Sequence, residues 1–132
     1  MKKINLILGI HCHQPIGNFD SVFENTYKNS YLPLLEMLLK YPEIKFSLHY
    51  SGVLLEWIEK KHPEYFEIIK SLVKRNQIEL IGGAFYEPIL SVIPDNDKID
   101  QLRFLSSYIK NNFSFEVKGL WLAERVWETH LP

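Results

Sequence analysis

The sequence lacks several features that would assign a protein to a class at once. Its single cysteine, Cys12, excludes an internal disulfide and fits a reducing compartment. Lysine and arginine total 15 against 16 acidic residues, and no basic run occurs, which argues against a nucleic-acid partner. No apolar run reaches the length of a membrane span, and no small-residue cleavage site follows the apolar N-terminus. We therefore expect a cytoplasmic protein without a membrane partner.

Glycine-rich phosphate-binding motifs are also absent after the first predicted strand, which weakens a nucleotide-binding interpretation. The 132 residues are 46% apolar and 23% charged, the composition of an ordinary globular protein. Aromatic residues make up 14% of the chain, and they could either fill a core or provide stacking platforms for sugars. The length corresponds to one domain or to part of one.

Four apolar segments are predicted to be strands, and a helical pattern lies in every connection between them. The strands are residues 3–11, 44–49, 78–81 and 117–122, and the first should be buried on both faces. The helices are residues 21–39 with a break at Pro33, 53–60, 63–74, and 96–111 with Asp95 as its N-cap. This order predicts an α/β fold with a parallel sheet, either open and doubly wound or part of a β/α barrel.

Ionisable side chains occur near all four predicted strand ends, and the carboxyl ends of parallel strands share one edge of a sheet. These residues are His11 and His13, then His49, then Glu79 and Glu87, and finally Glu124 with Arg125. Each one alone is explained by a structural role. Glu79 has apolar neighbours, so we expect it to be buried and paired with a histidine or an arginine. Four such ends in succession predict a shared active site.

Three of these segments resemble glycoside hydrolase family 57, in the order and spacing of its first three conserved regions. They are His13-Gln14-Pro15, then residues 77–88 with Glu79 and Glu87, and then residues 121–128 with Trp121 and Glu124. The resemblance covers about residues 3–130. Through residues 10–19, the chain looks most similar to the 4-α-glucanotransferase and α-amylase branch of that family.

The resemblance implies the N-terminal half of an incomplete (β/α)7 barrel and a retaining enzyme that acts on α-glucans or maltooligosaccharides, with no cofactor and no required metal. It makes Glu124 the catalytic nucleophile. His13 and Glu79 match residues that hold the sugar, Trp121 matches an aromatic residue of the same subsite, and His11 falls in the same segment. A nearby cation, such as Arg125, should keep the nucleophile ionised. Nothing in these segments distinguishes hydrolysis from transfer or branching.

The acid/base aspartate of the family lies in a fourth region, which residues 1–132 do not contain. We expect the chain to be the N-terminal part of a family 57 catalytic barrel domain, truncated before the acid/base region and inactive alone. Glu87 and Glu128 are poor candidates to replace that aspartate. Half of a barrel exposes strand edges, and the chain could therefore self-associate.

Two alternatives remain open. His11, His13 and a carboxylate could hold the metal of a polysaccharide deacetylase, although the sequence lacks the Asp-Asp pair and the His-x₃-His pair of that class. A non-catalytic carbohydrate-binding fragment is the other alternative, since it would keep the sugar contacts without an acid/base.

Overall fold

The computed structural model describes residues 3–131, which form four parallel strands with helices in each connection. The strands are β1 (Gly9–Cys12), β2 (Phe46–Tyr50), β3 (Ile78–Gly83) and β4 (Leu120–Trp121). The α-helices are α1 (Asp20–Thr26), α2 (Leu32–Lys40), α3 (Gly52–Lys61), α4 (Pro63–Lys74) and α5 (Asp95–Phe113). A π-helical turn (Tyr27–Tyr31) joins α1 to α2, and 3₁₀ turns occur at Leu90–Val92 and Ala123–Arg125.

The order of the strands distinguishes the two predicted architectures. Neighbours in the sheet follow the chain order β1-β2-β3-β4, and all pairs are parallel. A doubly wound sheet reverses its strand order at a switch point, and no reversal occurs in the described part of the chain. The strands form a curled half-barrel, and the predicted α/β fold with alternating strands and helices is confirmed.

The register of the sheet gives its two faces different chemistry. Ile10 pairs with Leu48, and Leu48 pairs with Leu80, so these apolar side chains share one face. Leu48 and Leu80 are buried in a core that also contains residues of α2, α3, α4 and α5. The residues one position further along, His11 and His49, pair on the opposite face. The helices therefore cover the apolar face, and the polar face is available for a site.

The predicted break at Pro33 takes the form of a π-helical turn. Tyr27–Tyr31 is π-helical, and the amide of Leu32 bonds to the carbonyl of Tyr27. Thr26 and Leu32 both keep helical backbone angles, so the chain continues directly from α1 into α2. Because proline has no amide hydrogen and crowds the preceding turn, a locally widened turn accommodates Pro33 without ending the helical path.

Three details of the predicted elements are wrong. Residues 3–8 form no strand, and Ile4 and Ile7 are 92% and 86% exposed, because β1 has β2 as its single neighbour and no described element packs on its outer side. The fourth strand is limited to Leu120–Trp121, the two residues that pair with β3. Asp95 is the first residue of α5 and Pro94 is its N-cap, and the Asp95 carboxylate bonds instead to the Lys98 ammonium at 2.7 Å.

Across residues 3–131, none of the helices has both the length and the apolar composition that crossing a bilayer requires.

The difference in burial between Leu48 and Leu6 can be tested by truncating each side chain to alanine. Leu48→Ala should lower the free energy of unfolding by about 2–5 kcal/mol, because Leu48 is fully buried and the change leaves a cavity. Leu6→Ala removes the same atoms from a side chain that is 78% exposed, and it should change the free energy of unfolding by less than about 0.5 kcal/mol. Urea unfolding measures both, and equal losses would contradict the exposure of residues 3–8.

Candidate active site

A cleft of about 250 Å³ lies at the carboxyl edge of the sheet. It is lined by His11, His13, Pro15, Ile16, Tyr86, Glu87, Ala123 and Glu124. These residues follow or end β1, β3 and β4, so the parallel strands deliver them to one edge. The predicted convergence of strand ends is visible for His11, His13 and Glu124, while Glu79 does not line the cleft.

A pair of histidines links β1 to β2 beneath this cleft. The Nδ1 atoms of His11 and His49 are 2.8 Å apart, so one ring donates a hydrogen bond to the other. Burial, and the proximity of His11 and then His13, lowers the pKa of His49 to about 3. Burial also lowers the pKa of His11, reinforced by His13 and opposed by the Glu124 carboxylate. Both lowered pKa values favour neutral rings near pH 7, in which one Nδ1 carries the hydrogen and the other accepts it.

Gly83 makes room for the buried imidazole. A Cβ at Gly83 would lie 2.7 Å from Nε2 of His49 and 3.2 Å from the carbonyl oxygen of Trp121. Both distances are shorter than ordinary van der Waals contact, and the second neighbour is backbone that cannot easily move. The absence of a side chain at Gly83, the last residue of β3, thus allows the His49 ring to pack between β1 and β3.

Glu87 is a buried carboxylate that faces all three histidines. Its Oε2 contacts Nδ1 of His13, and its Oε1 is 3.7 Å from Nε2 of His11 and 3.6 Å from Nδ1 of His49. The side chain is 6% exposed, and burial raises its pKa; the His13 interaction opposes that rise and Glu124 adds to it. The backbone at Glu87 has a φ of 51°, a left-handed conformation. Glu87 is consequently held in place by both its backbone turn and its partners.

The loop that carries His13 is anchored by the residues on either side of it. The Tyr31 hydroxyl donates to the carbonyl oxygen of His13 at 3.0 Å. The buried side-chain amide of Gln14 donates in turn to the hydroxyl oxygen of Tyr31 at 3.1 Å. Asn18 donates to Oε1 of Gln14 at 2.8 Å. The His-Gln-Pro segment therefore fixes the position of His13 through Gln14, whose side chain points into the protein and not into the cleft.

Trp121 forms an aromatic wall beside the histidines. Its indole ring stacks on the His11 imidazole, with ring centroids 4.5 Å apart and planes within 5° of parallel. It also lies 6.0 Å from the ring of His49. Stacking of this kind restrains the orientation of His11.

Glu124 lies in the 3₁₀ turn after β4 and lines the same cleft as His11 and His13. Its φ is 54° and that of Arg125 is 56°, so two consecutive non-glycine residues adopt the left-handed conformation. Among the ion pairs within residues 3–131, none joins Arg125 to Glu124. The expected guanidinium partner of Glu124 is thus not found among these contacts.

Glu79 is placed differently from its prediction. It is the second residue of β3, which continues to Gly83, so Glu79 lies near the amino end of the strand and not at its carboxyl end. The residue is exposed, and its carboxylate accepts a hydrogen bond from Ser47 at 3.1 Å, so the expected burial is also wrong. It borders a separate cleft of about 640 Å³ with Lys45 and Glu116.

The sequence predicts His49 and Glu87 at the shared edge of the sheet but assigns them no role in binding or catalysis, and the structure places both in the histidine cluster. Each is an ionisable residue at or just after the carboxyl end of a parallel strand, and these ends share one edge of the sheet. His49 ends up between two strands because its register partner is His11, a pairing that no single segment reveals.

The fold and the cleft define part of a β/α-barrel enzyme domain with its site at the carboxyl ends of the strands. The chain belongs to glycosyl hydrolase family 57, whose model matches residues 7–132. The resemblance inferred from the sequence motifs is confirmed by this match.

The chain is similar to alpha-amylase 1 of Dictyoglomus thermophilum, with 54% identity over 98% of the chain and 19% of that protein. It is also similar to the 4-alpha-glucanotransferase of Thermococcus litoralis, with 47% identity. The crystal structure of that protein matches this chain with a TM-score of 0.96, and the match covers 98% of this chain and 20% of that chain. The branching enzyme TK1436 of Thermococcus kodakaraensis, 14% identical, shares the fold at a TM-score of 0.73, covering 89% of this chain and 32% of that chain. The chain spans about a fifth of the length of the curated relatives that it matches.

The steric role of Gly83 can be tested against a second glycine of the same sheet. Gly83→Ala should lower the free energy of unfolding by about 1–3 kcal/mol, because the new methyl group displaces His49 from its partner. Gly9→Ala is the matched control, since a Cβ at Gly9 would have no neighbour within 4 Å. Urea unfolding gives the two losses, and nitrogen-15 NMR of the imidazole rings reports the state of the His11–His49 bond. A neutral Gly83→Ala would refute the steric requirement.

Proposed function

We propose that this chain is the part of a retaining α-glucan-active enzyme, of α-amylase or 4-α-glucanotransferase type, that supplies the nucleophile. The observation that supports this most is the cleft, which Glu124 lines together with His11 and His13 in a chain of family 57. Relatives that are 54% and 47% identical bear the names alpha-amylase 1 and 4-alpha-glucanotransferase, which supports a polymer of α-linked glucose as the substrate.

In this proposal the Glu124 carboxylate attacks the anomeric carbon of the sugar while an acid/base residue outside residues 1–132 protonates the departing glucan oxygen, which gives a covalent glycosyl-enzyme; the same residue later takes the proton of the attacking hydroxyl. Water or a sugar hydroxyl then attacks the same carbon and releases Glu124, with net retention of configuration. The exposed position of Glu124 at the cleft supports this role, because the attacking oxygen must reach the substrate. The choice between water and sugar decides between hydrolysis and transfer.

His11, His13 and Trp121 are proposed to hold the sugar beside Glu124. The two imidazoles border the cleft and can exchange hydrogen bonds with hydroxyl groups, while the indole limits the volume next to His11. Glu79 remains a predicted sugar-binding residue. It shares a sheet face with His49 and Ile81 but lies two residues earlier on β3, so a sugar that reaches it must extend along the sheet past Ile81.

The nucleophile can be identified without the acid/base residue. A glucosyl fluoride needs no proton donor, because fluoride leaves unassisted, and a second fluorine on the sugar ring slows release of the glycosyl-enzyme. We expect such an α-glucosyl fluoride to form an ester with Glu124, with loss of fluoride, in the 132-residue chain. Mass spectrometry of the digested protein locates the ester.

Two isosteric variants make the labelling experiment specific. Glu124→Gln should abolish the label, whereas Glu128→Gln, which changes an exposed carboxylate in the same segment, should leave it unchanged. A label on Glu128 or Glu79 instead of Glu124 would assign the nucleophile elsewhere.

We further propose that the 132-residue chain does not turn over maltooligosaccharides alone and that it self-associates. The Glu87 carboxyl is in contact with His13, which supports the view that it does not replace the missing acid/base. The exposed side chains of Ile4, Leu6 and Ile7 support association along the β1 edge. Sedimentation and a reducing-sugar assay measure both properties. Turnover by a monodisperse monomer would overturn both statements.

Family membership favours this function over the deacetylase alternative. A sugar-binding fragment without turnover is compatible with an inactive chain, and the labelling experiment distinguishes it, since a pure binding site would form no ester. The cytoplasmic location stays a prediction from the sequence.

A further inference from the structure

Three side chains of the cleft are spaced like the ligands of a metal ion. One ligand atom each from His11, His13 and Glu87 can be chosen so that all lie within 4.8 Å of one another. Two atoms bound to the same zinc ion are at most about 4.2 Å apart, since each zinc–nitrogen bond is about 2.1 Å long. Side-chain movements of less than about 1 Å would therefore bring these atoms onto one ion.

His11 is held in the orientation that a ligand needs. Its Nδ1 is engaged by His49 at 2.8 Å, which leaves Nε2 directed toward Oε1 of Glu87 at 3.7 Å. Metal-binding histidines generally have their second ring nitrogen fixed in this way by a neighbouring group. The parallel stacking of Trp121 on His11 restrains the plane of the same ring.

Glu87 provides the second, independent observation. Its side chain is 6% exposed, and within residues 3–131 its buried Oε1 has no hydrogen-bond partner. A buried carboxylate oxygen without a partner is unfavourable, and a bound ion is one of the explanations for such a group in a native protein. A cation between Glu87 Oε1 and His11 Nε2 would satisfy this atom.

We propose that His11, His13 and Glu87 bind a divalent first-row transition-metal ion, with zinc the best match for two imidazoles and one carboxylate. Magnesium and calcium prefer all-oxygen ligands, so the two histidines select against them. Cys12 is not a ligand, because its thiol is buried in the core and burial raises its pKa to about 12. The open side of the cleft leaves one coordination position for water or a sugar hydroxyl.

The proposed metal site shares His11 and His13 with the proposed sugar site but does not include the nucleophile. The site is defined by three ligand atoms that lie within 4.8 Å of one another, and the proposed nucleophile Glu124 is outside this set. Since both use the same cleft, a bound ion would compete with the sugar for His11 and His13. Binding of the metal is therefore to be measured without sugar, so that its outcome does not depend on the proposed function.

The full chain, stripped with a chelator and checked for folding by circular dichroism, is titrated with zinc chloride against a chromogenic zinc indicator. We expect one zinc ion per chain, and at least a tenfold loss of affinity in Glu87→Gln and in His13→Gln. If Glu87→Gln does not fold, His13→Gln still tests the site, because His13 is partly exposed and its replacement should leave the fold intact. Cobalt(II) in place of zinc should give a visible d–d spectrum, and the same variants should lose it.

His62→Gln is the matched control. His62 also contacts two carboxylates, Glu24 and Glu64, but through its two opposite ring nitrogens, so they cannot join it on one ion. This variant should change the zinc affinity by less than about twofold. The proposal is overturned if the wild-type chain binds no zinc, if Glu87→Gln and His13→Gln bind as the wild type does, or if His62→Gln loses the ion to the same extent.

Discussion

The in-register parallel pairing of β1, β2 and β3 is the constraint on which the rest of this structure depends. Ile10, Leu48 and Leu80 fall in one row and require the helices to cover them, because apolar side chains in a row must leave water. The same register places His11 beside His49 on the other face. A slip of one residue on any strand would exchange the two faces, which ties the position of the site to the position of the core.

The polar face is stabilised by groups that would each be unfavourable alone. A fully buried imidazole such as His49 needs a hydrogen-bond partner, and His11 is the one that the register supplies. The carboxylate of Glu87 is tolerated at 6% exposure because His13 contacts it. Gly83 contributes by having no side chain at the point where His49 enters. The cluster is consequently cooperative, and removal of one member leaves another buried and unpaired.

Local patterns in the sequence were sufficient for the existence, type and order of the strands and main helices, and for the convergence of His11, His13 and Glu124. They were insufficient where distant residues decide. Glu79 is flanked by buried residues, but alternation along β3 turns its side chain to the open face, and pairing extends the strand to Gly83. Ile4 and Ile7 have apolar side chains without a described covering element. His49 and Glu87 were expected at this edge, but the pairing of His49 with His11 and the left-handed turn at Glu87 are features that no single segment shows.

Backbone conformation connects the two carboxylates of the cleft. Glu87 and Glu124 both have positive φ, as does Arg125, although non-glycine residues seldom adopt this conformation and each such residue costs about 1–3 kcal/mol. Each glutamate follows the carboxyl end of its strand, β3 or β4, and both glutamates line the cleft. Two of the five non-glycine residues with positive φ in residues 3–131 thus line the cleft, and local backbone strain contributes to placing Glu87 against the histidines and Glu124 at the border of the same cleft.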